Sequence, residues 1–499
     1  MDPSLNVLNA QFFWSSAPIL ILAVGSIVLM LQQVFSPFDK PGMVFSSVNI
    51  WFGAAVCAAI FLPQPQLEHL GGAFLSDKLA LFGQSLLIGL SWLIAGLFWG
   101  TDSNRRHFYR GEVSSLYMMT VTGLAVLVSS NDFVTLFVGL ELAALGVYCL
   151  AGYLSPNRRS QEGAIKYFII GSIGAAMFLF GVALLYAGSG TLNLKSLGEI
   201  LPSLGESSLI KIGSFFTVVA VAIKLALAPF HLWAPDVYEG SPTGITAFMA
   251  TCVKIAVMIF LIRFLNLDLT ADHFGITWQA VLSAVAVVSL IAGNIMALVQ
   301  SSVKRMLAYS SISHTGYLAV GAVSISSSVG IDAILFYLVS YSIMSLGIFG
   351  IIMSLENDNG MDLQLRDLRG LSSTHPIKAL GVSVLMLGLA GMPPTVGFIS
   401  KFYVFSSALE KGFYGLVLAG VVGTAISLYY YLGVIVKMYM DGGAETTKVV
   451  GLPSKSPAVL IGLAAVAVLM TVWFGIAPDP LLSHFQAGEF LENIATKGH

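Results

Sequence analysis

The sequence predicts an all-α polytopic membrane bundle of about 14 transmembrane helices, and three observations carry that prediction. Only 10% of the 499 residues are charged, 24 Lys and Arg against 26 Asp and Glu, where a soluble domain carries about 25%. Hydrophobic residues make up 56% and the mean hydropathy is +0.85. Apolar segments of about 20 residues, the length that crosses a ~30 Å hydrocarbon core, recur along the chain with short loops between them. A soluble globule of this size needs far more polar surface. Disorder and coiled coil are excluded on the same grounds, and a nucleic-acid partner would need clustered positive charge that is missing. The partner that composition demands is the lipid bilayer.

In chain order the spans fall near 13–34, 43–62, 79–100, 112–129, 132–154, 163–187, 209–230, 243–265, 277–299, 304–324, 331–354, 378–409, 413–439 and 457–477. The opening stretch lacks a basic region ahead of its apolar run, so a first spanning helix is expected there rather than a removed signal peptide. The seventh span contains IKLALAPFHLWAPD, with Pro229 and Pro235. The twelfth contains LAGMPPTVGFISKF, with Pro393 and Pro394. Proline removes a backbone donor and clashes with the preceding turn, so both helices are expected to break near mid-membrane. The freed backbone groups must then be buried in protein or line a wet cavity.

Within one membrane domain, 1–499, residues 112–265 (spans 4–8) and 277–439 (spans 9–13) each hold five helices, the broken one fourth. Five is odd, so the second unit enters from the opposite side, giving two inverted repeats. Paired broken helices point to a transport site in such folds.

Basic residues orient the bundle. Odd-numbered loops hold fourteen: Lys40; Arg105, Arg106 and Arg110; Arg158 and Arg159; Lys304 and Arg305; Arg366, Arg369 and Lys378; Lys437, Lys448 and Lys455. Even-numbered loops and the C-terminal tail hold six: Lys78, Lys195, Lys211, Arg263, Lys411 and Lys497. Both termini are then expected on the outer, periplasmic side of a cell inner membrane.

The other four basic residues, Lys166, Lys224, Lys254 and Lys401, fall inside spans, and Glu141 sits alone in the middle of the fifth. An ionisable group at the bilayer centre costs at least ~2.5–3.5 kcal/mol and usually marks a proton or ion path. Snorkelling or structural pairing is the competing reading, strongest for Lys166 and Lys254, which stand nearer an interface. Burial disfavours a charged lysine and a nearby carboxylate favours it. If Glu141 faces Lys224, parting or joining the pair changes the proton affinity of the amine. Lysine suits a relay because its pKa moves readily, whereas arginine stays protonated. His231 and His314 lie near membrane depth and could either shuttle protons or bond the carbonyls of a broken helix.

Cys57, Cys149 and Cys252 show no CxxC pairing and read as small packing residues. Neither a Gly-rich dinucleotide loop after a strand nor a thiolate cluster is present, so no cofactor or metal is expected in this chain.

Several stretches resemble a known family: SSNDFVTLFVGLELAALGVYCLAGY, QEGAIKYFIIGS, IKLALAPFHLWAPDVYEGSPTGITAF, GNIMALVQSSVKRMLAYSSISHTGYL and GMPPTVGFISKF. The chain is similar, over essentially its whole length, to the antiporter-like membrane subunits of the proton-pumping NADH:quinone oxidoreductase (respiratory complex I). The stretch PDVYEGSPTGITA resembles the subunit N type. The sibling subunits and the multisubunit Na⁺(K⁺)/H⁺ antiporters tend to read PDAMEGPTPVSA there, and subunit M has a glutamate where Lys401 stands.

The resemblance implies a translocase subunit with a relay. Glu141 would pair with Lys224, Lys254 would connect, Lys401 would stand near the periplasmic exit, and Lys166 would be a further buried lysine near a neighbouring subunit. It also implies that NADH, FMN, iron–sulfur clusters and quinone belong to partner subunits, membrane and peripheral. The alternative is a subunit of a cation/proton antiporter without redox chemistry. One departure is Gly244, where the family commonly has proline.

Overall fold

The computed structural model describes residues 10–35, 41–62, 67–70, 72–99, 108–153, 157–204, 207–267, 278–356, 363–440 and 458–483. The two chain ends and Lys40, Arg105, Arg106, Lys448, Lys455 and Lys497 lie outside the described residues. Helices stand at all fourteen expected positions. They are α1 Ala10–Phe35, α2 Pro41–Phe61, α3 Lys78–Phe98, α4 Gly111–Ser129, α5 Phe133–Ala151, α6 Arg158–Ser189, and the broken seventh, α7 Ser208–Lys224 with α8 Ala234–Gly240. There follow α9 Thr243–Leu265, α10 Trp278–Leu298, α11 Val303–Val323, α12 Gly330–Leu355, the broken twelfth, α13 Pro376–Ala390 with α14 Val396–Glu410, then α15 Tyr414–Tyr439 and α16 Ala458–Ile476. Among the described residues eleven of these helices are long and apolar enough to cross a membrane. The exceptions are the two broken helices and α11, which is rich in hydroxyl groups.

Local chemistry sets the helix ends. Asp77 caps α3 through Ala80 N (2.8 Å), Asp132 caps α5 through Val134 N (2.8 Å), and Asn157 caps α6 through Arg159 N (3.0 Å). Side-chain oxygens there satisfy donors that a helix start leaves orphaned. Where α4 meets α5, a Cβ on Gly123 would come within 2.6 Å of Ala143 N and one on Gly139 within 2.7 Å of Leu127 N. Only glycine permits that backbone approach, the small-residue packing of membrane bundles.

The loops sort onto two faces, as successive crossings require. Asn131 (loop four) and Asn193 (loop six) both donate to the Gly72 carbonyl of loop two, at 3.0 and 2.8 Å. On the other face Ser302 bridges Gln364, joining loops nine and eleven, and Lys304 Nζ reaches the Ser241 carbonyl of loop seven (3.1 Å). At the centre stands α9, buried along its whole length, beside α11 and α12, while only about a third of α1 and a fifth of α16 is buried.

The seventh helix breaks earlier than the prolines predict. It ends at Lys224, and Ala226 adopts a left-handed backbone (φ 54°) ahead of Pro229. Pro235 is not a breaker: it opens α8, where its missing N–H costs nothing. The twelfth breaks at Gly391 (φ 82°), and Pro393 and Pro394 lie in the link to α14. Arg263, counted with the loops, is instead in the last turn of α9, in a buried bidentate ion pair with Asp77 (2.8 and 2.6 Å).

Candidate functional site

Burying a lysine at the end of a broken helix has a physical logic. Lys224 is the last residue of α7, where unpaired carbonyls and the helix dipole favour a cation. The freed backbone groups find protein partners: Trp233 Nε1 donates to the Ile223 carbonyl (3.2 Å) and Ala228 N donates to Ser289 Oγ (2.9 Å). Lys224 Nζ lies 3.6 Å from Glu141 Oε1, with the lysine side chain 6% and the glutamate 23% exposed. It also donates to Tyr148 OH (3.2 Å). At 3.6 Å the pair is an ion contact but not a hydrogen bond, and Glu141 Oε1 has no hydrogen-bond partner. At an effective dielectric of about 20 the attraction is about 4–5 kcal/mol.

Lys254 follows a π-helical turn, Met249–Val253, a distortion frequent at functional sites. Its ammonium donates to the Ser311 carbonyl (2.6 Å), Ser311 Oγ (2.6 Å) and Thr315 Oγ1 (2.7 Å) of α11, and Nζ is 5.2 Å from the centre of the Tyr341 ring. All three acceptors are neutral, so hydrogen bonding is satisfied without a counter-ion in contact.

His314, one turn after Ser310 and Ser311, contacts Tyr337 OH through Nδ1 (2.7 Å) and Tyr431 OH through Nε2 (3.3 Å); Tyr431 also bonds Ser310. One turn further Tyr317 stacks beneath Lys401, whose Nζ is 4.7 Å from the ring centre. Lys401 Nζ donates to the Leu389 (3.2 Å) and Ala390 (2.9 Å) carbonyls, the groups freed by the break after α13. Thus α11 presents Ser311, His314 and Tyr317 on one face, with Lys254 at one end of that stripe and Lys401 at the other. Between Lys224 and Lys254 stand Tyr148, whose ring meets that of Tyr167 at 4.8 Å, and Tyr238, whose hydroxyl lies 3.5 Å from Ser311 Oγ. A cavity of about 20 Å³, lined by Leu124, Leu140, Val147, Val253, Val257 and Lys224 among others, has room for about one water.

A family model described as "NADH:quinone oxidoreductase/Mrp antiporter, TM" matches residues 130–427, the stretch that carries Glu141 and all four lysines. The chain belongs to that family. It is 35% identical over 479 residues to NADH-quinone oxidoreductase subunit N of Paramagnetospirillum magneticum, covering 94% of this chain and 96% of that protein. A chain of respiratory complex I from Thermus thermophilus with bound aureothin superposes with a TM-score of 0.78 at 29% identity, covering 93% of this chain and 98% of that one. A chain of the Mrp complex from Dietzia sp. superposes at 0.81 with 19% identity, covering 96% and 98%; that likeness is one of fold alone.

One candidate residue stands elsewhere than expected. Lys166 is not buried. Its side chain is 41% exposed and pairs with Glu162 (2.7 Å) and Asp236 (2.6 Å), at the face where Arg305 also grips Asp236 (2.6 Å) and Glu239 (3.1 Å). His231 is half-buried in the link between α7 and α8, and its Nδ1 has no hydrogen-bond partner. Cys57 and Cys149 are exposed on their helices and only Cys252 is buried. Among the described residues no group of His, Cys, Asp and Glu could hold a metal ion.

Sequence reasoning missed the hydroxyls and rings that solvate the lysines: Tyr148, Ser311, Thr315, Tyr317 and Tyr341. It also missed why residue 244 is glycine. A Cβ there would enter the Phe98 ring, which stacks on Phe108 at 3.9 Å.

Proposed function

We propose that this chain is a non-redox, proton-translocating membrane subunit of an NADH:quinone oxidoreductase. Protons pass along Glu141, Lys224, Lys254 and Lys401, with His314 bridging the last two. The observation that carries the reading is the buried Glu141–Lys224 contact together with the line of polar groups from Lys254 to Lys401 along α11, where hydrocarbon would be the cheaper filling. Full-length kinship with subunit N proteins favours this role over a cation/proton antiporter, for which the likeness is in fold only.

The contact at 3.6 Å is the trigger. Drawing Glu141 away removes about 4–5 kcal/mol of attraction from the charged lysine and frees its proton toward Lys254 once water enters the small cavity. At Lys254 the ammonium exchanges with Ser311 and Thr315, and His314 with its two tyrosines links that point to the Tyr317 ring and Lys401. The two five-helix units, 112–265 and 277–439, serve as the two halves of this path. Their matching breaks after Lys224 and at Gly391 support that division. Lys166 at the odd-loop face and His231 in the link between α7 and α8 play lesser parts.

NADH oxidation, FMN, the iron–sulfur clusters and quinone reside on partner subunits, and the chain sits in the cell inner membrane with both ends outside. The loop cations on the odd face, such as Arg159, Lys304 and Arg305, favour that orientation. The test is NADH-driven proton uptake by inverted vesicles. Glu141→Ala, Lys224→Ala and Lys401→Ala should each depress it in an assembled complex, and a normal proton-to-electron ratio in Lys224→Ala would overturn the relay.

A further inference from the structure

The polar stripe of α11 does not end at Lys401. Continuing at helical spacing from Ser311, His314 and Tyr317, the same face carries Gly321 and then Ser324, and the following turn carries Ser327 and Ser328. Facing it on α14 are Lys401, Val404, Ser407 and Glu410.

Ser407, wholly buried, donates to Ser324 Oγ (2.6 Å), which is equally buried, and shares a hydrogen bond with Ser327 Oγ (2.8 Å), which is half-buried. Ser328, exposed, donates through Oγ (2.6 Å) and backbone N (2.9 Å) to the two carboxylate oxygens of Glu410. The hydroxyls thus step from wholly buried to exposed, and they end on a carboxylate at the even-loop face. The Ser328 hydroxyl and amide hold the Glu410 carboxyl below its ordinary value, so it stays anionic at neutral pH. Only one step lacks a polar group. Val404, wholly buried, occupies the helical turn between Lys401 and Ser407 and lies opposite Gly321, 3.9 Å from where a Cβ would be. From Lys401 to Ser407 the rise is about 9 Å.

We propose that Ser324, Ser407, Ser327 and Glu410 form the outlet by which protons leave Lys401 for the even-loop face, and that Val404 closes it. This rests on the Lys401 relay and names its exit. A proton leaving the Lys401 ammonium leaves a neutral amine and crosses the Val404 turn on water. The Ser407 oxygen takes it as its own hydroxyl proton passes to Ser327, and Ser327 gives one to solvent beside Glu410. Each serine ends with the one proton it began with, and nothing is oxidised or reduced.

The experiment places S327C and V404C singly in the assembled complex, with Cys57, Cys149 and Cys252 replaced. A membrane-impermeant cationic methanethiosulfonate is then applied to either face of sealed vesicles. The S327C thiol should be modified from the even-loop face and not from the other, and the V404C thiol should be protected from both. Proton uptake by Ser407→Ala and by the half-exposed Ser327→Ala should fall toward that of Lys401→Ala, measured alongside.

A V404C thiol open to either face overturns the closure at that turn. An S327C thiol that reacts from neither face, or from the odd-loop face only, overturns the outlet. So does full pumping in both serine-to-alanine variants. If Lys401→Ala is defective under those results, the relay stands and the exit lies elsewhere. If Lys401→Ala pumps normally, the relay and the outlet fall together.

Discussion

Replacing Asp77 should damage this protein as severely as any lysine substitution, though by a different route. Its carboxylate receives Arg263 Nη1 at 2.8 Å and Nη2 at 2.6 Å, with the side chains only 9% and 5% exposed. Removing one partner of a buried pair strands the other charge and costs about 3–5 kcal/mol. Asp77 Oδ1 also accepts from Ala80 N at 2.8 Å, a helix cap worth about 1 kcal/mol. Asp77→Asn keeps an oxygen for the cap and should cost about 3–5 kcal/mol. Asp77→Ala loses both and should cost about 1 kcal/mol more. Arg263 Nε already lacks a partner, which argues for the lower end.

Replacing both residues by apolar side chains removes the stranded charge, so Asp77→Leu with Arg263→Met should be much milder than either single change. The assay is a double-mutant cycle on the thermal midpoint of the purified complex, with assembly scored on native gels. Strict additivity of the two single effects would refute the coupling.

Three further expectations can be checked on the same preparation. Gly244→Ala should cost about 1–3 kcal/mol by overpacking against Phe98. Gly244→Pro should be no better although a helix start accepts proline, and the thermal midpoint reports both. Gly391→Ala meets a left-handed backbone (φ 82°) and puts a Cβ 2.8 Å from Lys401 Cδ. Beyond roughly 1–2 kcal/mol of backbone cost, it should push the amine off the Leu389 and Ala390 carbonyls and lower proton uptake in a complex that still assembles.

Asp236 gives a pH signature. Burial pushes its carboxyl up, but hydrogen bonds from Lys166 and Arg305 more than reverse this, so it titrates below its ordinary 3.8. A lowered carboxylate contributes stability above the unfolded value, and that contribution is lost as pH falls through the folded one. Wild type should therefore lose stability below about pH 4 more steeply than Asp236→Asn, followed by circular dichroism during acid titration.

The charged frame of the site was legible because hydrocarbon makes every ionisable group expensive. Four lysines and one glutamate stood out inside apolar spans, and the contact between Glu141 and Lys224 follows from that cost. What surrounds them was not legible. Ser311 and Thr315 solvate Lys254 across two helices far apart in the chain, and a serine in a helix looks alike whether it faces a lysine or its own carbonyl. The run YSSISHTGY was noticed for its histidine, yet its hydroxyls at i and i+4 were the stronger sign of a polar face.

The broken helices were predicted from proline, but where they break was not. Ala226 takes a left-handed backbone that no propensity assigns to alanine. Lys166 misled because α6 begins earlier than its apolar run, carrying that lysine out toward the loops. The helix positions and the sorting of loops onto two faces were readable because bilayer thickness fixes helix length.

The tight pocket beside Lys224 has a consequence for energy conservation. An energised membrane drives each positive charge with about 2.3 kcal/mol per 100 mV, and if the proposed relay holds, a standing file of water between the amines would let it discharge whenever turnover stops. With space for about one molecule, the cavity beside Lys224 holds no such file until something widens it. Lining it with serine should give a complex that oxidises NADH at full speed and holds no gradient.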